Sequence, residues 1–209
     1  MKILSTLDVL SGGRACLGIG AGWYEGEARG LGIPFPPLKE RFERLEETIQ
    51  IFQQMWAGDR TPFQGKHYQL TEPINSPMPL QQPHPPVLIG GGGEQKTLRL
   101  VAQYGDACNL YLGESLADFP AALETVRHKL SVLRQQCETV GRPYDAIERT
   151  ALIGVDLLAN TDAVAQTIEF CRALADLGIQ QMMFNMPNTH EIKPVELFAR
   201  EIIPVVAGF

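Results

Sequence analysis

Two short apolar runs that end in glycines carry the chemistry available to this sequence. Leu17-Gly18-Ile19 leads into Gly20-Ala21-Gly22-Trp23-Tyr24-Glu25, and Pro86-Val87-Leu88-Ile89 leads into Gly90, Gly91, Gly92 and Gly93. A glycine run ahead of a helix offers backbone N–H groups with no Cβ in the way. The helix N-terminus adds partial positive charge, so Gly90 to Gly93 reads as a phosphate cradle, with a plain turn as the lesser alternative. It is not a Walker A loop, because Gln95 stands where the glycine before Lys96-Thr97 would be. Gly18 to Gly22 imitates a dinucleotide fingerprint only in part. The third glycine comes one residue early and no strand-end acid follows at the expected distance, which ranks a Rossmann-type NAD protein low.

Other polar groups offer less. Asn109 and Asn185 fall near the ends of predicted strands, where α/β proteins place ligands, and either equally satisfies local backbone. His67, His84, His128 and His190 show no metal-ligand spacing, so no metal site is expected. His84, between prolines, reads as a loop-positioning residue, and His190 has no evident partner. Cys16, Cys108, Cys137 and Cys171 form no CxxC pair, three of them fall within apolar patterns, and they read as buried thiols of a reducing cytosol. A net charge of −6, without a Lys/Arg cluster, argues against nucleic acid and for a small-molecule partner. No apolar run reaches the roughly 20 residues needed to cross a bilayer, and the expected location is cytoplasmic.

The elements that must hold these groups follow from periodicity. Ile3, Leu4, Leu7 and Leu10 share a helical face that Gly12-Gly13 ends, and Ala15 to Ile19 is the first strand. Leu38, Phe42, Leu45, Ile49, Phe52 and Trp56 mark the clearest amphipathic helix. Lys39, Glu40, Arg41, Glu43, Arg44, Glu46 and Glu47 on that helix read as its solvated face. Between about 58 and 86 a small hairpin at Gln64 to His67 and a proline-rich loop form an insertion within one domain over 1–209. Strands are expected at Val87 to Ile89, Ala107 to Leu112, Ala151 to Leu158 and Gln181 to Asn185. Helices are expected at Glu94 to Tyr104, Leu116 to Val140, from a cap at Thr161 to Leu177, and from Pro194 onward. This β/α alternation admits a doubly wound sheet or a (β/α)₈ barrel. A barrel needs about eight units and roughly 250 residues, so five units make an incomplete TIM-type barrel.

The chain resembles the bacterial luciferase-like monooxygenase superfamily, most closely its coenzyme F420-dependent class. The resemblance is carried by Leu7-Asp8-Val9-Leu10-Ser11-Gly12-Gly13-Arg14, the segment Gly18 to Trp23, Arg41-Phe42-Glu43-Arg44-Leu45-Glu46-Glu47, Gly65-Lys66-His67-Tyr68, and His84-Pro85-Pro86-Val87 through Gly93. It implies a TIM-barrel-like fold lacking the family's first three β/α units. It also implies hydride transfer or oxygenation of a small organic substrate with F420, or alternatively FMN. By the same resemblance, Gly90, Gly91, Gly92 and Gly93 would hold the cofactor phosphate, and Asn109 would belong to the cofactor site. Gly20 and Gly22 would let the backbone approach the cofactor ring, with Trp23 packed near it. Glu25 or Glu27 would orient substrate or relay a proton. A homodimer is the expected assembly. The alternative is a truncated, non-catalytic fragment that binds cofactor weakly or needs a partner to complete the barrel.

Overall fold

The computed structural model describes residues 1–116 and 119–209. The fold is α/β with five strands in parallel sheet, as the alternation predicted. The chain divides into two compact units, Met1–Ile89 with Tyr104–Asp106, and Gly90–Gln103 with Ala107–Phe209.

The first unit opens with α1 (Lys2–Ser11), stopped at Gly12, and β1 (Leu17–Ile19). A short α2 (Glu25–Gly30) sits in the segment read as loop, followed by α3 (Leu38–Trp56) with the bounds its apolar spacing predicts. β2 (Phe63–Gln64) and β3 (Gln69–Leu70) pair antiparallel as the expected hairpin. β4 (Val87–Gly90) runs parallel to β1, with Leu17 opposite Val87 and Ile19 opposite Ile89.

The apolar face of α1 does not point inward. Ile3 is 85% exposed and Leu10 80%, while Ser5 and Asp8 are buried. Asp8 turns a carboxylate into a structural knot. It accepts the N–H groups of Ala15, Leu80 and Gln81 and the Gln81 side-chain amide. Burial pushes the Asp8 pKa up, but these donors together outweigh it and leave it below the usual carboxylate value. The knot fastens the proline-rich loop, which lacks regular structure of its own.

The second unit holds α4 (Thr97–Tyr104) up to its last residue, then β5 (Ala107–Tyr111), α5 (Phe119–Val140), β6 (Glu148–Gly154), α6 (Ala163–Asp176) and β7 (Gln181–Asn185). α7 (Lys193–Leu197), a π turn (Phe198–Ile202) and α8 (Ile203–Val206) close the chain. β5, β6 and β7 are parallel neighbours, Asn109 opposite Thr150 and Thr150 opposite Gln181. The predicted start of α5 reached residues 117 and 118, which lie outside the described residues.

Four boundaries differ from expectation. β6 begins three residues early because its polar start is buried and satisfied. Arg149 donates to the Gly178 and Ile147 carbonyls and stacks over Tyr144, and Thr150 donates to the Cys108 carbonyl. It also ends early, since buried Val155 and Leu157 leave the sheet to pack with Ile202. α6 starts at Ala163 with Asp162, not Thr161, at the cap, where the Asp162 N–H reaches Asn160 Oδ1 at 2.9 Å. α4 starts at Thr97, so Glu94 to Lys96 form a turn between the glycines and the helix.

Candidate functional site

In the first unit a cavity of about 500 Å³ opens where β1 gives way to the glycine segment. Gly20, Gly22 and Trp23 line it together with Glu27, the α2–α3 connection around Phe35, and Arg41, Arg44 and Tyr68. Its walls are mostly apolar with a few polar groups, which is the usual make-up of a small-molecule site. Gly22 has φ 77, and a Cβ there would lie 3.7 Å from the Phe35 ring, so this turn needs glycine for its backbone rather than for space alone. Trp23 is 87% exposed and stacks on Tyr24 at 5.2 Å, free of the core that a tryptophan ordinarily joins. Such a ring is available to cover a ligand.

The two glutamates separate. Glu27 lines the cavity, whereas Glu25 is not among the residues that line it and is held by Arg29 at 2.8 Å on the exposed side of α2. Of the two, only Glu27 is placed at the cavity.

The face of α3 read as solvated is the main correction at this site. Glu43 accepts from Lys66 Nζ at 2.7 Å and lies 2.8 Å from His67 Nε2, and these contacts, Lys66 first, hold its pKa down to about 2. Burial raises Glu47, but the backbone N–H groups of His67, Lys66 and Tyr68 outweigh it and bring the pKa below the usual value. The two carboxylates thus clamp the β2–β3 turn beside the cavity wall formed by Tyr68. Arg44 pairs with Glu40 at 2.6 Å and lies over Tyr68, while Arg41 reaches the glycine segment itself. Periodicity could not reveal this, because a helix face covered by a hairpin has the same polar pattern as one covered by water.

In the second unit Gly90 ends β4, and Gly91, Gly92 and Gly93 lead without regular structure to the turn at Glu94 to Lys96. Gly91 has φ 122, and its N–H donates to the Asn109 carbonyl at 3.0 Å, so Asn109 and these glycines are neighbours. Buried Thr97 packs beneath them: a Cβ on Gly91 would meet it at 3.4 Å and one on Gly93 at 3.0 Å. The N–H groups of Gly92 and Gly93 have no hydrogen-bond acceptor among the described residues. The Asn109 side chain is half-buried, with Nδ2 3.7 Å from Met183 Sδ and Oδ1 a buried acceptor lacking a donor. Lys129, paired with Glu94 at 2.6 Å, lies against Gly92. Backbone donors without acceptors ahead of a helix suit an anionic group, with the Lys129–Glu94 ion pair beside them.

His84 and Asn185 each make contacts within their own unit. His84 stacks on Trp56 at 5.3 Å and contacts the Pro85 carbonyl, as its loop-positioning reading expects. Asn185 accepts the Val155 N–H through its backbone. Burial raises the Cys108 and Cys171 thiols to about 11 each, so both stay protonated and unreactive; Cys16, against the buried reading, is exposed, because the short β1 leaves it outside the core. Among the described residues no group of three or more His, Cys, Asp or Glu could hold a metal ion, and no helix is long and apolar enough to cross a membrane.

The α/β fold thus combines parallel strands with glycine exits, an apolar cavity at one strand end and a glycine segment suited to an anion at another. The family model for luciferase-like monooxygenases matches residues 3–189, and the chain belongs to that family. It is similar to an F420-dependent glucose-6-phosphate dehydrogenase of Kineococcus radiotolerans, 33% identical over 178 residues covering 85% of this chain and 49% of that protein. It is also similar to an FMNH(2)-dependent dimethylsulfone monooxygenase of Pseudomonas putida, 32% identical over 128 residues covering 61% of this chain and 35% of that one. Among solved structures, an F420-dependent secondary alcohol dehydrogenase in complex with an F420-acetone adduct superposes with TM-score 0.78. That match has 16% identity and covers 98% of this chain and 73% of that one, and it shows the shared fold. The chain spans about half the length of the curated relatives it matches.

Proposed function

We propose that this chain carries the cofactor-phosphate part of an F420-dependent oxidoreductase that acts on a small organic substrate. The observation that supports it most is the Gly90–Gly93 segment, where Gly92 and Gly93 present N–H groups without acceptors above buried Thr97. These residues suit a phosphate: the glycines leave backbone N–H groups open, a Cβ at Gly93 would come within 3.0 Å of Thr97, and the Lys129–Glu94 ion pair lies beside Gly92, where an anion could draw Lys129 from Glu94. Asn109 Oδ1, a buried acceptor without a donor, fits an N–H or O–H of the same ligand. When bound, F420 would supply a hydride to the substrate. The protein's own part is binding, orientation and exclusion of water. In the first unit, Gly20 and Gly22 let a planar ring approach the backbone, Trp23 covers it, and Glu27 orients substrate or relays a proton at its carboxylate.

FMN is the second reading, and the similarity to the FMNH(2)-dependent monooxygenase favours it. A third reading is a chain that binds cofactor only together with a partner. Titration of the purified chain with F420 and with FMN, followed by ligand fluorescence with scattering as a check on aggregation, separates the three. Saturable micromolar binding of F420 is the expected result. Binding of FMN alone selects the second reading, and no binding by a folded, soluble chain selects the third.

A further inference from the structure

Arg41 lies on the face of α3 that periodicity assigns to solvent, yet its guanidinium is spent on backbone. Nε donates to the Pro36 carbonyl at 3.1 Å. Nη1 donates to the Ala21 carbonyl at 3.3 Å and to the Gly22 carbonyl. The guanidinium carbon lies 4.1 Å from the centroid of the Phe35 ring. No carboxylate lies within ion-pair distance of Arg41 among the described residues, in contrast to Arg44, which pairs with Glu40. The charge therefore serves the loop and not a neighbouring acid.

The two sets of acceptors sit at opposite ends of one excursion. Ala21 and Gly22 belong to the exit from β1, and Phe35 and Pro36 to the return into α3. Between them the chain travels out through α2, where its backbone bonds are local, such as Ile33 N–H to the Ala28 carbonyl. Arg41 reaches across the neck of this excursion, and its partners at both ends line the cavity. A hydrogen bond from a charged donor is roughly twice as strong as a neutral one, and a planar fork can serve several carbonyls while stacking on a ring. Lysine, a point charge on a flexible stem, cannot reproduce that arrangement.

We propose that Arg41 is the positioning residue that clamps the Gly20–Gly22 turn to the Phe35–Pro36 segment and thereby sets the shape of the cavity. Its effect on ligand affinity rests on the reading of that cavity as a ligand site; its effect on the loop does not. The test is hydrogen exchange by mass spectrometry on the free chain, with Arg41→Met, which keeps the apolar stem, and Arg41→Lys, which keeps the charge. Amides in residues 20–36 are expected to exchange at least about tenfold faster in Arg41→Met, with peptides of β5 to β7 unchanged. Arg41→Lys should restore only part of the protection. F420 or FMN affinity, whichever the wild type shows, should fall about tenfold in step with the loop. Unchanged exchange in residues 20–36, or a rise spread evenly over the chain, overturns the proposal. Should Arg41→Met fail to fold, Arg41→Lys must show the local loss, and its absence overturns the proposal equally. A wild type that binds neither cofactor defeats the ligand-site reading, while the exchange data still decide the role of Arg41.

Discussion

At the scale of single residues, the glycine segment after β4 gives the most direct prediction. Gly91 has a φ that L side chains rarely adopt, and a Cβ there would press on Thr97. Gly91→Val is expected to reduce cofactor affinity by a factor of about a hundred, because the segment must rearrange and withdraw the Gly92 and Gly93 N–H groups. Isothermal titration against the wild type checks this, and unchanged affinity refutes the phosphate assignment. Buried Arg149 is a contrasting case. Its donors are used by the carbonyls of Ile147, just before β6, and Gly178, ahead of β7, which makes it part of the fold and not of a site. Residue type alone does not distinguish these arginines from one on the surface; their partners do.

At the scale of elements, α3 and the hairpin form one device. Glu47 accepts the N–H groups of Lys66, His67 and Tyr68, and Gly65 sits so close to it that a Cβ would come within 2.3 Å of its Oε2. Two-residue strands cannot hold a hairpin by their own ladder, so the clamp supplies what the pairing lacks. Glu47→Ala is expected to speed amide exchange in residues 63–70 by about tenfold or more while α3 itself stays protected. Exchange mass spectrometry reads both at once, and equal protection in the two proteins contradicts the clamp. The helix was legible from its apolar spacing. Its charged face was misread, since the partner that covers it comes from about 20 positions later in the chain and has no apolar signature of its own.

At the scale of the whole molecule, the lowered carboxylates set the response to acid. Asp8, Glu43 and Glu47 all have folded pKa values below their ordinary ones, with Glu43 at about 2. A depressed carboxylate gives stability that is fully present above its unfolded pKa, about 4, and is lost as pH falls toward the folded value. The melting temperature is therefore expected to be flat from about pH 7 to pH 5 and to fall steadily below about pH 4. Glu43→Gln should be less stable at neutral pH and show a shallower acid slope, as a series of thermal melts would reveal. A wild-type melting temperature that rises on acidification contradicts the assignment. Periodicity and glycine spacing by themselves determined the alternation of strands and helices, the bounds of α3 and β7, and both glycine exits, because local pattern encodes those features directly. Only the tertiary structure decided that α1 buries Asp8 instead of its leucines, that Val155 and Leu157 leave the sheet, that Glu25 and Glu27 part, and that Arg41 serves the cavity. Each of these depends on which distant residue supplies a hydrogen-bond partner or an apolar neighbour, and that is a property of the folded chain, not of local spacing.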